Sequence, residues 1–209
     1  VASDYVTTVQ KIVDDVIAPQ AAEVDCTGSF PRAGIDALAK AGVLGMMSSA
    51  SVGGGGQSLA EASAVIEKLA GACGSTAMVV LMHYSATAIL EAHGDTETRT
   101  AIARGNHLST LAFSEAGSRS HFWVPTSTAT SDGNSKVTLD AQKSWITSAG
   151  EADSYVWSSR PVANDIEGPM TLWLVPSDAA GLSVRGKFDG LGLRGNASSP
   201  VAGEKVQVP

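Results

Sequence analysis

The chain has 209 residues, 44% of them hydrophobic and 17% charged, enough to bury a sizeable core as one large domain or two small ones. A net charge of −7, a pI near 5.0 and the lack of any Lys or Arg block exclude a phosphate-backbone footprint, so no nucleic-acid partner is expected. Only Cys26 and Cys73 are present, without a CxxC, and His83, His93, His107 and His121 are scattered, so no metal site is signalled.

The stretch VASDYVTTVQKIVDD has no basic region leading into an apolar run. The most apolar stretch, Met78 to Met82, falls far short of the ~20 residues that a bilayer span needs. A cytoplasmic, reducing setting with two free thiols and no membrane partner is the expectation.

The first half reads as helices. Val6, Val9, Val13, Val16 and Ile17 recur at helical spacing after Ser3, and Pro19 is expected to stop the pattern. A second helix is expected to start with Pro31 in its first turn, to bury Ile35 and Leu38, and to end at Gly42. Ser58 and Glu61 form a capping-box pattern ahead of the apolar face Ala62, Val65, Ile66 and Leu69. STAMVVLMHYSATAILEAHG is apolar nearly all round and closes at Gly94, as a helix buried among neighbours would. Asp95 or Thr96 then caps a short helix reaching Arg104 and Gly105.

After His107 the period changes. The runs LSTLAF, KVTLDA, SWIT, SYVWSS, MTLWLVP and LSVRG alternate with turn clusters such as SDGNS and NDIEGP. This predicts an all-β segment of about seven strands, a sandwich or small barrel. The boundary is placed near residues 105 to 108, giving an α-helical domain over 1–106 and a β domain over 107–209.

Three stretches carry candidate chemistry. Read as a strand, KSWITS points Trp145 and Thr147 to one side and Ser144, Ile146 and Ser148 to the other. One face then offers an aromatic slab beside a hydroxyl, which suits either a cross-strand contact or a stacked planar ligand. In LAFSEAGSRSHFW a strand ending at Ser114 and Glu115 runs into a loop whose Gly117, Ser118 and Ser120 offer N–H groups and hydroxyls to a phosphate. Arg119 adds a cation there, free to pair with a phosphate or with Glu115, and His121, Phe122 and Trp123 follow at once. On the buried helix, Met78 and Met82 share a face, while His83 reads as a satisfied core or pocket-edge histidine. The Gly53 to Gly56 run reads as a flexible connector, because it does not open a helix as a G-x-G-x-x-G phosphate cradle does.

In this order, SVGGGGQSLAEASAVIEKLAG, LAFSEAGSRS, DAQKSWITSAGEADSYVWSSR and GLGLRGNASSPVAGEKVQVP resemble the N-terminal and middle domains of the acyl-CoA dehydrogenases. The resemblance covers essentially the whole chain. It implies an α+β fold, an all-α helical domain followed by a β-barrel or sandwich middle domain, with FAD as cofactor. Trp145 would cover one side of the flavin ring system, with Ile146 beside it. Thr147 would give its hydroxyl to the ring nitrogen that takes the hydride, where a positioned donor stabilises developing charge. Leu111, Phe113 and Ser114 would contact the pyrimidine end, with Ser114 in place of the usual threonine. Ser120 would touch the pyrophosphate region and the acyl-CoA, and Met78 and Met82 would line the acyl pocket, which suits their adaptable side chains.

The pattern also departs from the family. Ala116 replaces a proline, Arg119 the second glycine and His121 an aspartate, so the loop's phosphate and CoA contacts must be built differently. The resemblance implies an oxidoreductase that forms an α,β-enoyl product from an acyl-CoA or acyl-carrier thioester and passes electrons to an acceptor. It further implies a homo-oligomer, tetramer or dimer. The carboxylate base belongs to a C-terminal helical bundle beyond Pro209, and Glu115 is assigned to loop structure instead. A flavin monooxygenase on the same fold and a non-catalytic flavin-supporting subunit remain as alternatives.

Overall fold

Pro19 does not stop the first helix. The computed structural model describes residues 2–119, 121–131, 136–163 and 166–209. In it α1 (Ala2–Ile12) passes through one π-helical turn, Val13–Ile17, into α2 (Ala18–Thr27). The Ala18 N–H reaches back five residues to the Val13 carbonyl, so Pro19 sits in the first turn of a fresh α-helical ladder, where its missing N–H costs little. The apolar stripe continues unbroken, with Val9, Val13, Ile17 and Val24 buried.

The remaining helices follow the sequence closely. α3 (Arg32–Lys40) starts after Pro31 and buries Ile35 and Leu38. α4 (Leu59–Ala70) carries the full capping box between Ser58 and Glu61. α5 (Gly74–His93) is buried along most of its length, and Asp95 caps α6 (Thr96–Ala103) by accepting from the Thr98 N–H at 2.8 Å. Their joint core holds Leu38, Val65, Leu69, Val80 and Tyr84, each worth about 1.5–3 kcal/mol on burial.

The glycine run is packed rather than flexible. Gly54, Gly55 and Gly56 donate their N–H groups to the carbonyls of Ser49, Gly45 and Ser48. A Cβ on Gly54 would lie 2.2 Å from the Ser48 oxygen, so only glycine lets these backbones meet. With its amides spent internally, the loop has none to offer a phosphate.

The second half forms strands β1 (Ser109–Ala112), β2 (Thr128–Ser131), β3 (Val137–Ile146), β4 (Ser154–Ala163), β5 (Ile166–Glu167), β6 (Thr171–Pro176), β7 (Leu182–Val184) and β8 (Ser199–Val208). The sheet runs β1-β4-β2-β3-β8-β7, with β5 and β6 also paired to β4. Because β2 lies parallel to β4 while β2–β3, β3–β8 and β4–β6 are antiparallel, this is a curled mixed sheet, an open relative of the expected barrel. KVTLDA and SWIT, expected as separate strands, are one, since the polar pair between them belongs to the strand. The clusters at 132–135 and 164–165 lie outside the described residues. Trp157, Tyr155, Leu139, Ile146 and Val201 fill the sheet's concave core.

The chain divides into two compact units, Val1–Ser109 with Asp189–Ala197, and Thr110–Phe188 with Ser198–Pro209. Within the helical unit, Gly195 donates its N–H to the Ser75 hydroxyl at 3.1 Å. A Cβ at Gly195 would fall 2.3 Å from Val24 Cγ1 and 2.5 Å from the Ser29 carbonyl oxygen. Gly195→Ala is therefore expected to destabilise the chain by about 2–3 kcal/mol, because a backbone oxygen cannot move aside as a side chain can. Chemical denaturation of the variant against the parent checks this; equal stability would show that the segment is not seated there. Cys26 is exposed and Cys73 buried, both as free thiols. Among the described residues no helix is long and apolar enough to cross a membrane.

Candidate flavin site

The alternation that buries Leu139 and Ala141 on β3 carries Lys143 into the interior as well. A buried ammonium must find partners, and this one has three. Lys143 Nζ donates to Glu115 Oε1 at 2.6 Å, to the Ser158 carbonyl at 2.6 Å and to the Ser158 hydroxyl at 3.1 Å. It also lies 5.1 Å from the centre of the Trp157 ring. Glu115 in turn accepts from the N–H groups of Thr126, at 2.6 Å, and Ser127, at 2.9 Å, and from both of their hydroxyls. The two side chains are 2% and 0% exposed, so this is a buried ion pair with its hydrogen-bonding capacity used.

Burial alone would raise the Glu115 carboxyl, but the Lys143 charge and the bonds from Lys143, Ser127 and Thr126 outweigh it and hold it down at about 2. Burial lowers Lys143 to about 8 against the opposing pull of Glu115. Both groups are therefore charged at neutral pH.

The pair fastens two segments together. Glu115 and Lys143 form an antiparallel bridge, and the Ser144 N–H donates to the Ser114 carbonyl at 2.9 Å. Ser114, which follows Leu111 and Phe113 in the chain, is thus joined to Ser144, the residue just ahead of Trp145, Ile146 and Thr147. Lys143 was part of the motif, yet its role escapes a reading of the motif alone. The signal was available: a lysine on the core face of an alternating strand requires a buried carboxylate.

Strict alternation then fails. The β3–β8 register slips between Lys143 and Ile146, and Trp145 takes φ 58°, rare for a bulky residue. The bulge turns Trp145 outward to 63% exposure while Ile146 and Thr147 stay buried at 2% and 6%. Trp145 and Thr147 do not simply share a face as period-two spacing predicts, because the extra residue resets the pleat. Trp145 meets Phe188 edge-on at 6.1 Å, and Thr147 Oγ1 lies 3.2 Å from Ser198 Oγ. Beyond the bulge, the Gly150 N–H donates to the Tyr155 hydroxyl at 2.9 Å, closing the turn.

Of the other candidates, Arg119 is exposed with φ 51°, and the carboxylate it was expected to compete for is taken by Lys143. Ser120 lies outside the described residues. Phe113 stacks on Phe122 at 6.3 Å, and Phe122 meets Trp123 edge-on at 5.0 Å, so the altered loop presents an aromatic surface. Met78 and Met82 are half-buried on α5, in the helical unit, and the other candidates belong to the β unit. His83 is fully buried in that helical unit, with Nε2 3.2 Å from the Leu44 carbonyl and Nδ1 3.2 Å from the Ser109 N–H, as a satisfied core histidine. Among the described residues no cluster of three or more metal-ligating side chains gathers.

These residues fit a planar, polar-edged ring system. An exposed indole stands at a strained bulge. Two positions further along is a buried hydroxyl with another hydroxyl as partner, and the Ser148 hydroxyl beside it is buried without a hydrogen-bond partner. A buried polar atom left unpaired costs about 1–3 kcal/mol, and a ligand beside Ser148 is one partner that would satisfy it.

Comparison with known proteins identifies the family of both halves of the chain. The model of the acyl-CoA dehydrogenase N-terminal domain matches residues 3–105, and that of the middle domain matches residues 110–206. Benzylmalonyl-CoA dehydrogenase of Aromatoleum aromaticum is 31% identical over 207 residues, which cover 97% of this chain and 54% of that protein. Butyryl-CoA dehydrogenase from Megasphaera elsdenii superposes with a TM-score of 0.89 at 20% identity, over 100% of this chain and 56% of the other. FMN-bound TdsC from Paenibacillus superposes with a TM-score of 0.87 at 23% identity, over 98% and 52%. The chain spans about half the length of the relatives it matches.

Proposed function

Because the chain belongs to the acyl-CoA dehydrogenase family, of which it carries the N-terminal and middle domains, we propose that it is the flavin-holding part of an enzyme that desaturates an acyl thioester. The substrate is an acyl-CoA or acyl-carrier thioester, the cofactor FAD, and the electron acceptor a separate electron-transfer protein. One observation carries the reading: the buried Glu115–Lys143 pair joins the end of the 111–114 segment to β3 just ahead of the bulge that presents Trp145 and Thr147. The family's cofactor is a flavin, which when bound accepts the β-hydride as the α-proton leaves to a carboxylate base and the α,β double bond forms.

The chain's own residues bind and orient. Trp145 offers its exposed indole as a stacking surface for a flat ring. Thr147 supplies a hydroxyl donor at the position where negative charge develops, preset by its buried surroundings so that no reorganisation is needed. Ser114 borders the same element through the backbone bond to Ser144, with Phe113 next to it in the chain, and Ile146 anchors the element in the core. Met78 and Met82 give α5 a flexible apolar stripe for an acyl chain. Arg119, Ser120 and the adjoining loop are assigned to phosphate and thioester recognition, and the working enzyme to a homo-oligomer. No residue of the chain is assigned as the base.

A second reading, oxygen-dependent chemistry by a reduced flavin on the same fold, is favoured by the altered loop, where Phe122 and Trp123 are 50% and 55% exposed. The test is anaerobic. Full-length flavin-loaded protein is mixed with acyl-CoAs of graded chain length, and loss of flavin absorbance with at least one of them is expected. No bleaching with any thioester, together with oxygen-dependent hydroxylation when reduced flavin is supplied, would transfer the protein to the second reading. Flavin binding with neither reaction would leave a flavin-supporting subunit.

A further inference from the structure

The β3–β8 register pairs Ile146 with Ser199, so the next antiparallel step sets Thr147 opposite Ser198. Their hydroxyl oxygens are 3.2 Å apart, and the residues are 6% and 7% exposed. Flanking residues in left-handed conformations, Ser148 at φ 59° and Ala197 at φ 52°, bend both chains at this point. A backbone strained on both sides of one hydroxyl pair is maintained only where surrounding structure over-determines it.

A hydroxyl has one proton to donate and lone pairs to accept. If Thr147 donated to Ser198, its proton would be used internally and nothing would remain for a ligand nitrogen. If Ser198 donates, Thr147 keeps its proton, and accepting a bond polarises its O–H further, because hydrogen bonds in a chain reinforce one another. We propose that Ser198 is a positioning residue, donating to Thr147 Oγ1 so that the Thr147 hydroxyl is held as the donor to the flavin ring nitrogen. This rests on the flavin reading above. Ser198 is assigned to act through Thr147, and its effect is greatest when the ring system carries the negative charge that hydride uptake brings, that is, on the reduced flavin.

The experiment is a redox titration of the flavin-loaded full-length protein, with flavin affinity and melting temperature measured alongside. Ser198→Ala is expected to reduce the preference for reduced over oxidised flavin about tenfold, about 30 mV in a two-electron midpoint potential. Ser198→Thr, which keeps the hydroxyl, is expected to restore most of the shift. Should the alanine variant fail to fold, Ser198→Cys, similar in size with only a weak donor, is expected to show the same loss. A merely structural serine would change the melting temperature without moving the potential. An unchanged potential in Ser198→Ala or Ser198→Cys beside a shifted one in Thr147→Ala overturns the proposal and keeps the flavin reading. Unchanged potential and affinity in both the Ser198 and Thr147 variants overturns the placement of the flavin at Thr147 and this proposal with it.

Discussion

Glu115→Gln is expected to lower folding stability by about 3–5 kcal/mol, because it strands the Lys143 ammonium in the interior without a counter-charge. The amide keeps the shape and can still accept from Thr126 and Ser127, so the loss isolates the charge rather than the packing. Removing both charges should cost less: in Glu115→Gln with Lys143→Met, most of the lost stability is expected to return, since an unpaired buried charge is costlier than an apolar replacement. Urea denaturation of the parent, the single and the double variant checks the order. A double variant no more stable than the single would show that the lysine's bonds to Ser158, rather than the ion pair, carry its contribution to stability.

The same pair predicts the acid limb. Glu115 titrates at about 2 in the folded chain, against an ordinary 4.5. Its folded value is depressed, so the unfolded chain takes up the proton first, and the stabilisation is present above pH 4.5 and lost as pH falls through 2. That is worth about 3 kcal/mol at most. The Glu115→Gln variant should accordingly show a flatter loss of stability from pH 5 to pH 3 than the parent; parallel profiles would place the acid sensitivity elsewhere.

Thr147→Ala is expected to slow flavin reduction by substrate about 100-fold or more, the usual cost of removing one preset donor from a developing negative charge. Trp145→Ala is expected to act differently. It removes a stacking surface of about 1–3 kcal/mol and so weakens flavin retention about tenfold or more. The division of labour is itself the test. Stopped-flow reduction and flavin content measured on both variants should separate a rate effect at Thr147 from a binding effect at Trp145, and unchanged values in both would refute the assignment of this element to a flavin.

The helices were legible because each is written in local signals. The Ser58 and Glu61 capping box, the Asp95 cap and the stripe from Val9 to Val24 act within a few residues of one another. Pro19 misled because the π-turn before it moves the hydrogen-bond ladder by one residue, which composition does not announce. The order of motifs from SVGGGGQS to EKVQVP was legible in the same way and identified the family. Its individual residues were not equally so: the spacing of Trp145 and Thr147 suggested one shared face, and a bulge at φ 58° separated them.

The sequence by itself determined the change from helices to strands after His107, the caps, the core stripes, and the motif that names Trp145 and Thr147, but not that Asp189–Ala197 group with the helical unit. Those features depend on periods of two and 3.6 and on neighbours in the chain. Only the tertiary structure decided that Lys143 meets Glu115, 28 residues away, that Thr147 meets Ser198, 51 away, and that Gly195 seats on Ser75, 120 away. Such pairs are selected by register and by the need to satisfy buried polar groups across the sheet or between helices. No local pattern carries that information, because what each group requires is a partner, and folding alone determines which residue is near enough to be one.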